Sequence, residues 1–402
     1  MFTSRPLIAA SAATAAVILL AACSGADGSD EGSKAQDDVR LAFLWEIEGE
    51  SPVGLSDFQN GADLAIDEIN EAGGIDGRQV TYTRVPASPL DPQASTAAFL
   101  KATNDEPAAM VGFLASGQAV AAKSALDRAQ IPVIGIYEAD DAVRFGNQGS
   151  EFSWALNGSG QGTSLAAVEF MTEDLGLTSL GLMGTNEAFG LGQIESSEAA
   201  LDELGATSVG TVTYDPTATD LTQQVLAMKD ADGVLNWGYP NPLAVQLKQF
   251  VENGLTIPTM TGASGPIVVN AGLATGKAIA NFYSALPCNP GGTESAALQD
   301  FAAAYQEKYD ASATNLAAQA YDAVYVAKKA IEEAGSDAGA DVNEALAEIS
   351  VAPEDGIVCS SGYQADGSHI LNHEVNIARF HADGSSETVS TIQVPELPVA
   401  GE

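Results

Sequence analysis

The sequence is poor in the residues on which most active-site chemistry depends. Its 402 residues include only three histidines and three cysteines. The cysteines, Cys23, Cys288 and Cys359, form no CxxC spacing, so zinc and thioredoxin-like chemistry have no support. His369 and His373 lie four apart, but in a segment that reads as extended, so they share no helical face and no metal site is expected. No Ser-His-Asp or Cys-His set is apparent, and no cofactor is expected. Basic residues are scarce too: 16 Lys and Arg stand against 54 Asp and Glu, a formal charge of −38. Nucleic acid and anionic lipid surfaces would both repel such a chain. The acidity does not identify a ligand, because it is often only a solubility adaptation.

What is present begins with an address. Arg5 gives a short positive start, and Leu7 to Leu20 form an apolar run too short to span a bilayer comfortably. The run ends in Leu20-Ala21-Ala22-Cys23, a pattern that resembles the bacterial lipobox. Residues 1–22 are therefore expected to be a removed signal peptide, with Cys23 carrying lipid that holds the chain on a membrane surface. An ordinary signal peptide with an incidental cysteine is the alternative. Residues 23–38 continue with Ser, Gly, Asp, Lys and Gln and no large apolar side chain, so they cannot offset ordering entropy and read as a disordered tether. No later apolar run approaches a membrane span. With Cys23 acylated, Cys288 and Cys359 are left as an even pair in an oxidising compartment, which favours one disulfide over two unrelated buried thiols.

The body starts near Val39 and, at 46% hydrophobic and 17% charged residues overall, the chain is globular. It is longer than one hydrophobic core usually serves, so two lobes are expected. Val39 to Trp45 reads as a buried strand, and Ala62, Ala65, Ile66 and Ile69 fall on one face of a following helix that Gly73-Gly74 stops. Asp91 caps a helix entered at Pro92. Strand and helix patterns then alternate through Met110 to Tyr137, and again from Thr163 to Thr261. Each series implies a parallel sheet with helices on both faces, an α/β, doubly wound lobe. Later elements are too few for a third domain. Val375 to Phe380, the turn His381-Ala-Asp383-Gly384 and Thr388 to Val394 form a hairpin signal. Ligands in such sheets sit beyond the carboxyl ends of the strands, so the cleft between the lobes is the expected site. The spacing of Gly158, Gly160 and Gly162 is a weak phosphate-loop signal and reads better as a hinge entering a helix N-terminus.

The segment Asn60-Gly61-Ala62 … Ala65-Ile66-Asp67-Glu68-Ile69-Asn70-Glu71-Ala72-Gly73-Gly74-Ile75-Asp76-Gly77 resembles the first helix and turn of type I periplasmic binding proteins. It is most similar to the branched-chain (Leu/Ile/Val) amino-acid branch of ABC-transporter substrate-binding proteins. Asp91-Pro92, Val111-Gly112 … Ser116, Ile131-Pro132-Val133-Ile134, Gly160-Gln161-Gly162, Phe189-Gly190-Leu191-Gly192 and Phe380-His381-Ala382-Asp383-Gly384 extend the match, in order, over 39–390. The resemblance implies two Rossmann-like lobes joined by a three-crossing hinge. By position the crossings fall near 155–158, 284–288 and 360–364, with lobe 1 formed by 39–156 and 287–361 and lobe 2 by 157–286 and 362–402. Cys288 and Cys359 would lie beside two crossings, and Trp154 at the first.

The resemblance also nominates ligand contacts. Ser116 occupies the place of a loop serine that meets the ligand carboxylate, and Phe189 and Tyr239 match aromatics that pack on the ligand. The stretch Tyr137-Glu138-Ala139 stands where the family has a Thr, and Ser264 where it has the acid that binds the ammonium. A Trp of the first loop is missing; Trp45 and Glu46 precede that loop instead. A buried ammonium without a carboxylate is costly. Either Glu138 or Glu46 supplies the charge, or the solute lacks an α-ammonium. The alternatives are a helix cap for Ser116, ordinary core packing for Phe189 and a solvated strand end for Glu138.

These features imply capture of a small solute, an amino acid of branched-chain type or a related amide or acid, for delivery to an ABC permease by a monomeric, lipid-anchored protein outside the cytoplasm. A ligand-sensing receptor of the same fold and a surface-tethered hydrolase are the competing functions. Nearby permease genes would favour transport, and turnover would favour the hydrolase.

Overall fold

Buried parallel strands must be apolar on both faces, and the central strands of this chain largely are, while the edge strands are more polar and exposed. In the computed structural model, which describes residues 37–45, 57–136, 149–292 and 295–396, β1 (Val39–Trp45) has six of its seven residues buried. The chain continues through α1 (Phe58–Glu71), β2 (Val80–Pro86), α2 (Pro92–Ala102), β3 (Ala109–Gly112), α3 (Ser116–Ala129), β4 (Val133–Gly135) and β5 (Ser153–Ala155). These strands form a five-stranded parallel sheet in the order β2-β1-β3-β4-β5. Asp91 accepts a hydrogen bond from the Ala94 amide at 2.9 Å, the N-cap expected ahead of Pro92.

The second series runs through α4 (Gly160–Glu169), β6 (Ser179–Thr185), α5 (Ala188–Leu204), β7 (Thr207–Tyr214), α6 (Thr222–Ala227), β8 (Gly233–Trp237), α7 (Pro240–Glu252), β9 (Thr259–Thr261), α8 (Ser264–Asn270) and β10 (Phe282–Leu286). Then follow α9 (Ala296–Tyr309), α10 (Asn315–Ala334), α11 (Gly339–Ala347), the short pair β11 (Ser350–Val351) and β12 (Tyr363–Gln364), and the hairpin β13 (Glu374–Phe380) and β14 (Ser386–Gln393). The second sheet has seven strands in the order β14-β13-β10-β9-β8-β6-β7. Its β6 to β10 are parallel, while β13 runs antiparallel to β10 and β14 antiparallel to β13. The C-terminal hairpin thus completes the second sheet.

Helices α9 to α11 return to the first sheet, where Tyr305, Ala317, Val324 and Ile331 are buried in one core with Phe43, Ala62 and Ile69. The contact between α1 and α10 is unusually close. A Cβ at Gly61 would stand 1.9 Å from the Ala317 carbonyl oxygen, so only glycine fits.

The chain passes between the two sheets three times. The first passage leaves β5 at Ala155 and enters α4, where Ser159 accepts from the Gly162 amide at 2.9 Å. The three glycines there thus lead into a helix N-terminus. The second passage leaves β10 at Leu286. Ile370 and Leu371 are still buried with the first sheet's core, so the third passage is completed between Leu371 and Glu374, later than the expected 360–364. The displacement has a backbone cause. Leu371 donates to the Ala155 oxygen at 3.0 Å and Ala155 to the His369 oxygen at 2.9 Å, holding the third segment against the first before it leaves.

The segments that flank the passages are bound to each other. Cys288 and Cys359 form a disulfide with Cα atoms 5.0 Å apart, and Asn376 Nδ2 donates to the Pro287 oxygen at 2.9 Å. Trp154 stacks on His369 with centroids 3.7 Å apart and donates from Nε1 to Asn343 at 2.8 Å. Beneath them Asp322 of α10 accepts from the amides of Val358 at 2.7 Å and Cys359 at 2.9 Å and from the Tyr363 hydroxyl at 2.8 Å. Among the described residues no helix is long and apolar enough to cross a membrane. Cys23 lies outside them.

Candidate ligand cleft

In a doubly wound sheet the carboxyl ends of the strands present loops to one side, and here both sheets contribute such loops to a single cleft. From the first sheet come Leu114 and Ala115 after β3, Ile136 after β4, Phe58 at the start of α1 and Leu316 in the first turn of α10. From the second come Phe189 after β6, Gly238 and Tyr239 after β8, and Gly262, Ala263 and Ser264 after β9. Asn157, on the first passage, completes the lining. The cleft holds about 550 Å³ of empty space, its solvent-open part included.

Each wall is held by groups beneath it. On the first-sheet side, the Gln118 Oε1 accepts from the amides of Leu114 at 2.7 Å and Ala115 at 3.1 Å. Its Nε2 donates to the Ala87 oxygen at 3.2 Å and Ser95 Oγ at 2.9 Å. The loop after β3 is therefore pinned by one buried amide. Phe58 is backed by Trp45, with ring centroids 6.3 Å apart. On the second-sheet side, Glu187 accepts from the Phe189 amide at 3.1 Å and the Gly190 amide at 3.2 Å, capping α5 and fixing the approach of Phe189. Tyr239 and Phe189 meet with centroids 6.1 Å apart. Below them the Tyr214 hydroxyl donates to Asn236 at 2.5 Å, and Asn236 Nδ2 to Gln246 at 2.9 Å. A Cβ at Gly238 would fall 1.9 Å from the Tyr214 oxygen, so this network dictates glycine at the cleft floor.

The electrostatics are plain. Among the described lining residues no side chain is charged; the polar ones are Asn157, Tyr239 and Ser264. One carboxylate lies next in sequence to the wall: Asp57, before Phe58, accepts from Thr314 Oγ1 through Oδ2, while its Oδ1 has no partner. Burial holds the Asp57 carboxyl above the usual range.

Of the residues read from the sequence, Phe189, Tyr239 and Ser264 come together in the cleft. Ser116 opens α3 one residue beyond the lining residue Ala115 and is buried. Ser264 is the first residue of α8, a short helix the sequence did not signal. Glu46, Tyr137, Glu138 and Ala139 lie outside the described residues. Phe58, Leu114, Ile136, Asn157 and Leu316 were not singled out. Phe58 and Leu316 look like ordinary core positions in a helical pattern, and only Asn157, a polar residue inside the expected first crossing, carried a signal. Among the described residues no group of three His, Cys, Asp or Glu is placed to hold a metal ion.

Two lobes built on largely parallel sheets and sharing one cleft at their strand ends define a binding protein of the type I periplasmic class. A family model described as periplasmic binding protein matches residues 38–385. The chain belongs to that family. Leu/Ile/Val-binding protein homolog 7 of Brucella abortus is 24% identical over 241 residues, 58% of this chain and 60% of that protein. The chain thus spans about three fifths of the length of that relative. The branched-chain amino acid transporter substrate binding protein LivJ from Streptococcus pneumoniae, solved with isoleucine, superposes with a TM-score of 0.76 at 23% identity, covering 89% of this chain and 100% of that one. A solute binding protein of an ABC transporter from R. palustris, solved with benzoate, superposes with a TM-score of 0.77 at 16% identity, covering 90% and 99%. Likeness at this identity establishes the fold. The relative and the two solved structures are named as binding proteins.

Proposed function

We propose that this chain captures a small, largely apolar solute outside the cytoplasmic membrane and presents it to the permease of an ABC importer. The observation that carries this reading is the uncharged described lining, in which Phe58, Leu114, Ile136 and Leu316 of one wall face Phe189 and Tyr239 of the other. Fully burying a branched aliphatic side chain in such a wall contributes roughly 1.5–3 kcal/mol. The solute is a branched-chain amino acid or a related amide or acid. Membership of the family and the names of the relatives support this. Ser116, Phe189, Tyr239 and Ser264 are the proposed contacts among the described residues, and Glu46 or Glu138, with Tyr137 and Ala139, would complete the site for an ammonium. Lobe 1 comprises 39–156 and 287–371, and lobe 2 comprises 157–286 and 372–402; residues 1–22 are the signal and 23–38 the tether. The protein acts as a monomer, and lipid on Cys23 keeps it near the permease, raising effective concentration.

Thermal-shift and calorimetric screening against amino acids, amides and small acids tests the binding reading. One class should raise the melting temperature, since ligand at a hundredfold excess over Kd stabilises by about 2.7 kcal/mol. Failure of every class, or conversion of the solute to product, would overturn the proposal. Intact-mass analysis of membrane-extracted protein should find a diacylglyceryl adduct on Cys23; an unmodified thiol rules out the anchor.

A further inference from the structure

Asn157 is 6% exposed and lines the cleft, and its Oδ1 has no hydrogen-bond partner. Native proteins rarely leave a buried side-chain acceptor unsatisfied, and an exception calls for a physical account. Its backbone is firmly set. The preceding amide, Leu156 N, donates to the Gly135 oxygen at 2.9 Å. The following residue, Gly158, has φ +94° and sits so close to Asn372 that a Cβ would meet the Asn372 oxygen at 2.8 Å. The Asn157 backbone is therefore fixed between the end of β5 and the cap of α4.

We infer that Asn157 is a specificity-determining residue whose Oδ1 accepts a hydrogen bond from the solute, which therefore carries an N–H or O–H donor beside its apolar body. This rests on reading the cleft as the solute site. An ammonium, an amide or a hydroxyl meets the requirement. A simple carboxylate at neutral pH does not, because its oxygens only accept. A site built to receive a donor discriminates against the analogue lacking it, because the acceptor is then left buried and unpaired.

The test compares L-leucine, 4-methylpentanamide, 4-methylpentanoate, benzamide and benzoate by calorimetry on the full-length folded protein and on Asn157→Leu and Asn157→Asp. The donor-bearing member of a matched pair should bind at least about tenfold more tightly than its carboxylate. Asn157→Leu should reduce that preference by about tenfold while its unliganded melting temperature holds or rises, because an unsatisfied polar group has been removed. Asn157→Asp, which keeps the acceptor, should retain the preference. Equal binding of carboxylate and donor-bearing probes overturns the inference, as does unchanged binding in Asn157→Leu. Loss of binding in Asn157→Asp equal to that in Asn157→Leu also overturns it, and identifies the amide as a donor. If the wild-type protein binds none of the five probes or any wider solute class, the functional reading fails instead, so the two failures are distinguishable.

Discussion

Two side chains buried in the same region are treated in opposite ways. Asp322, on α10 beneath the hinge, is fully buried and receives three donors: the Val358 and Cys359 amides and the Tyr363 hydroxyl. Asn157, on the first passage, is almost as buried and its acceptor receives none. The hydrogen bonds of Asp322 are made by the fold itself. One left open in a cleft wall is placed for something that arrives later. On the inference drawn above, the difference separates the part of the hinge that is scaffold from the part that meets the solute.

The largest test of the scaffold side is removal of the covalent link. Cys288 and Cys359 are separated by 71 positions in sequence, and closing a loop of this length constrains the unfolded chain by about 4 kcal/mol. Replacing both with serine should lower the unfolding free energy by that order in urea titration. Next is Asp322→Leu, which strands two backbone amides and a tyrosine hydroxyl away from water. A loss of about 3 kcal/mol is expected. A neutral outcome there, alongside a stabilised Asn157→Leu, would erase the contrast between the two sites.

The smallest effect is a matter of pH and of sign. Burial holds the His369 imidazole down at about 4, below its ordinary 6.5. The unfolded chain then takes up the proton first, so the His369 contribution is present above pH 6.5 and is lost as pH falls towards 4. Burial pushes the Asp322 carboxyl the other way, from 3.8 up to about 7, against the pull of its three hydrogen bonds. Its contribution is present below pH 3.8 and is lost as pH rises through 7. The two slopes oppose each other in the acid range. Urea midpoints measured between pH 4 and 6.5 should therefore fall more steeply on acidification in Asp322→Asn than in the wild type, and less steeply in His369→Gln. Parallel profiles in all three proteins would remove both groups from the pH response.

Much of this architecture was legible in the sequence because it is written in periodicity. The alternation around Val39 to Trp45, the apolar face of α1 and the hairpin at 375–394 depend on patterns several residues long. Short elements carry no such signature: β5 has three residues, and α8 opens on Ser264-Gly265-Pro266 in a stretch that reads as loop. The third passage was placed too early because its pairing with Ala155 is a long-range backbone event invisible in local composition. In the cleft, Phe189, Tyr239 and Ser264 were found by resemblance. Phe58 and Leu316 were not, because a side chain facing a cleft and one facing a core obey the same helical period.

The Cys288–Cys359 bond has a consequence for production and for thermodynamics. Cys288, just past the second passage, is covalently tied to Cys359 on the segment that leads to the third, and Asn376 beyond the third passage donates to the Pro287 oxygen. Any motion of one sheet against the other must carry both together, so fewer torsions are left to freeze when a solute is gripped. Protein expressed in a reducing cytosol would share the sequence and the cleft, yet begin each binding event from a broader ensemble, and the shortfall should show as a less favourable binding entropy.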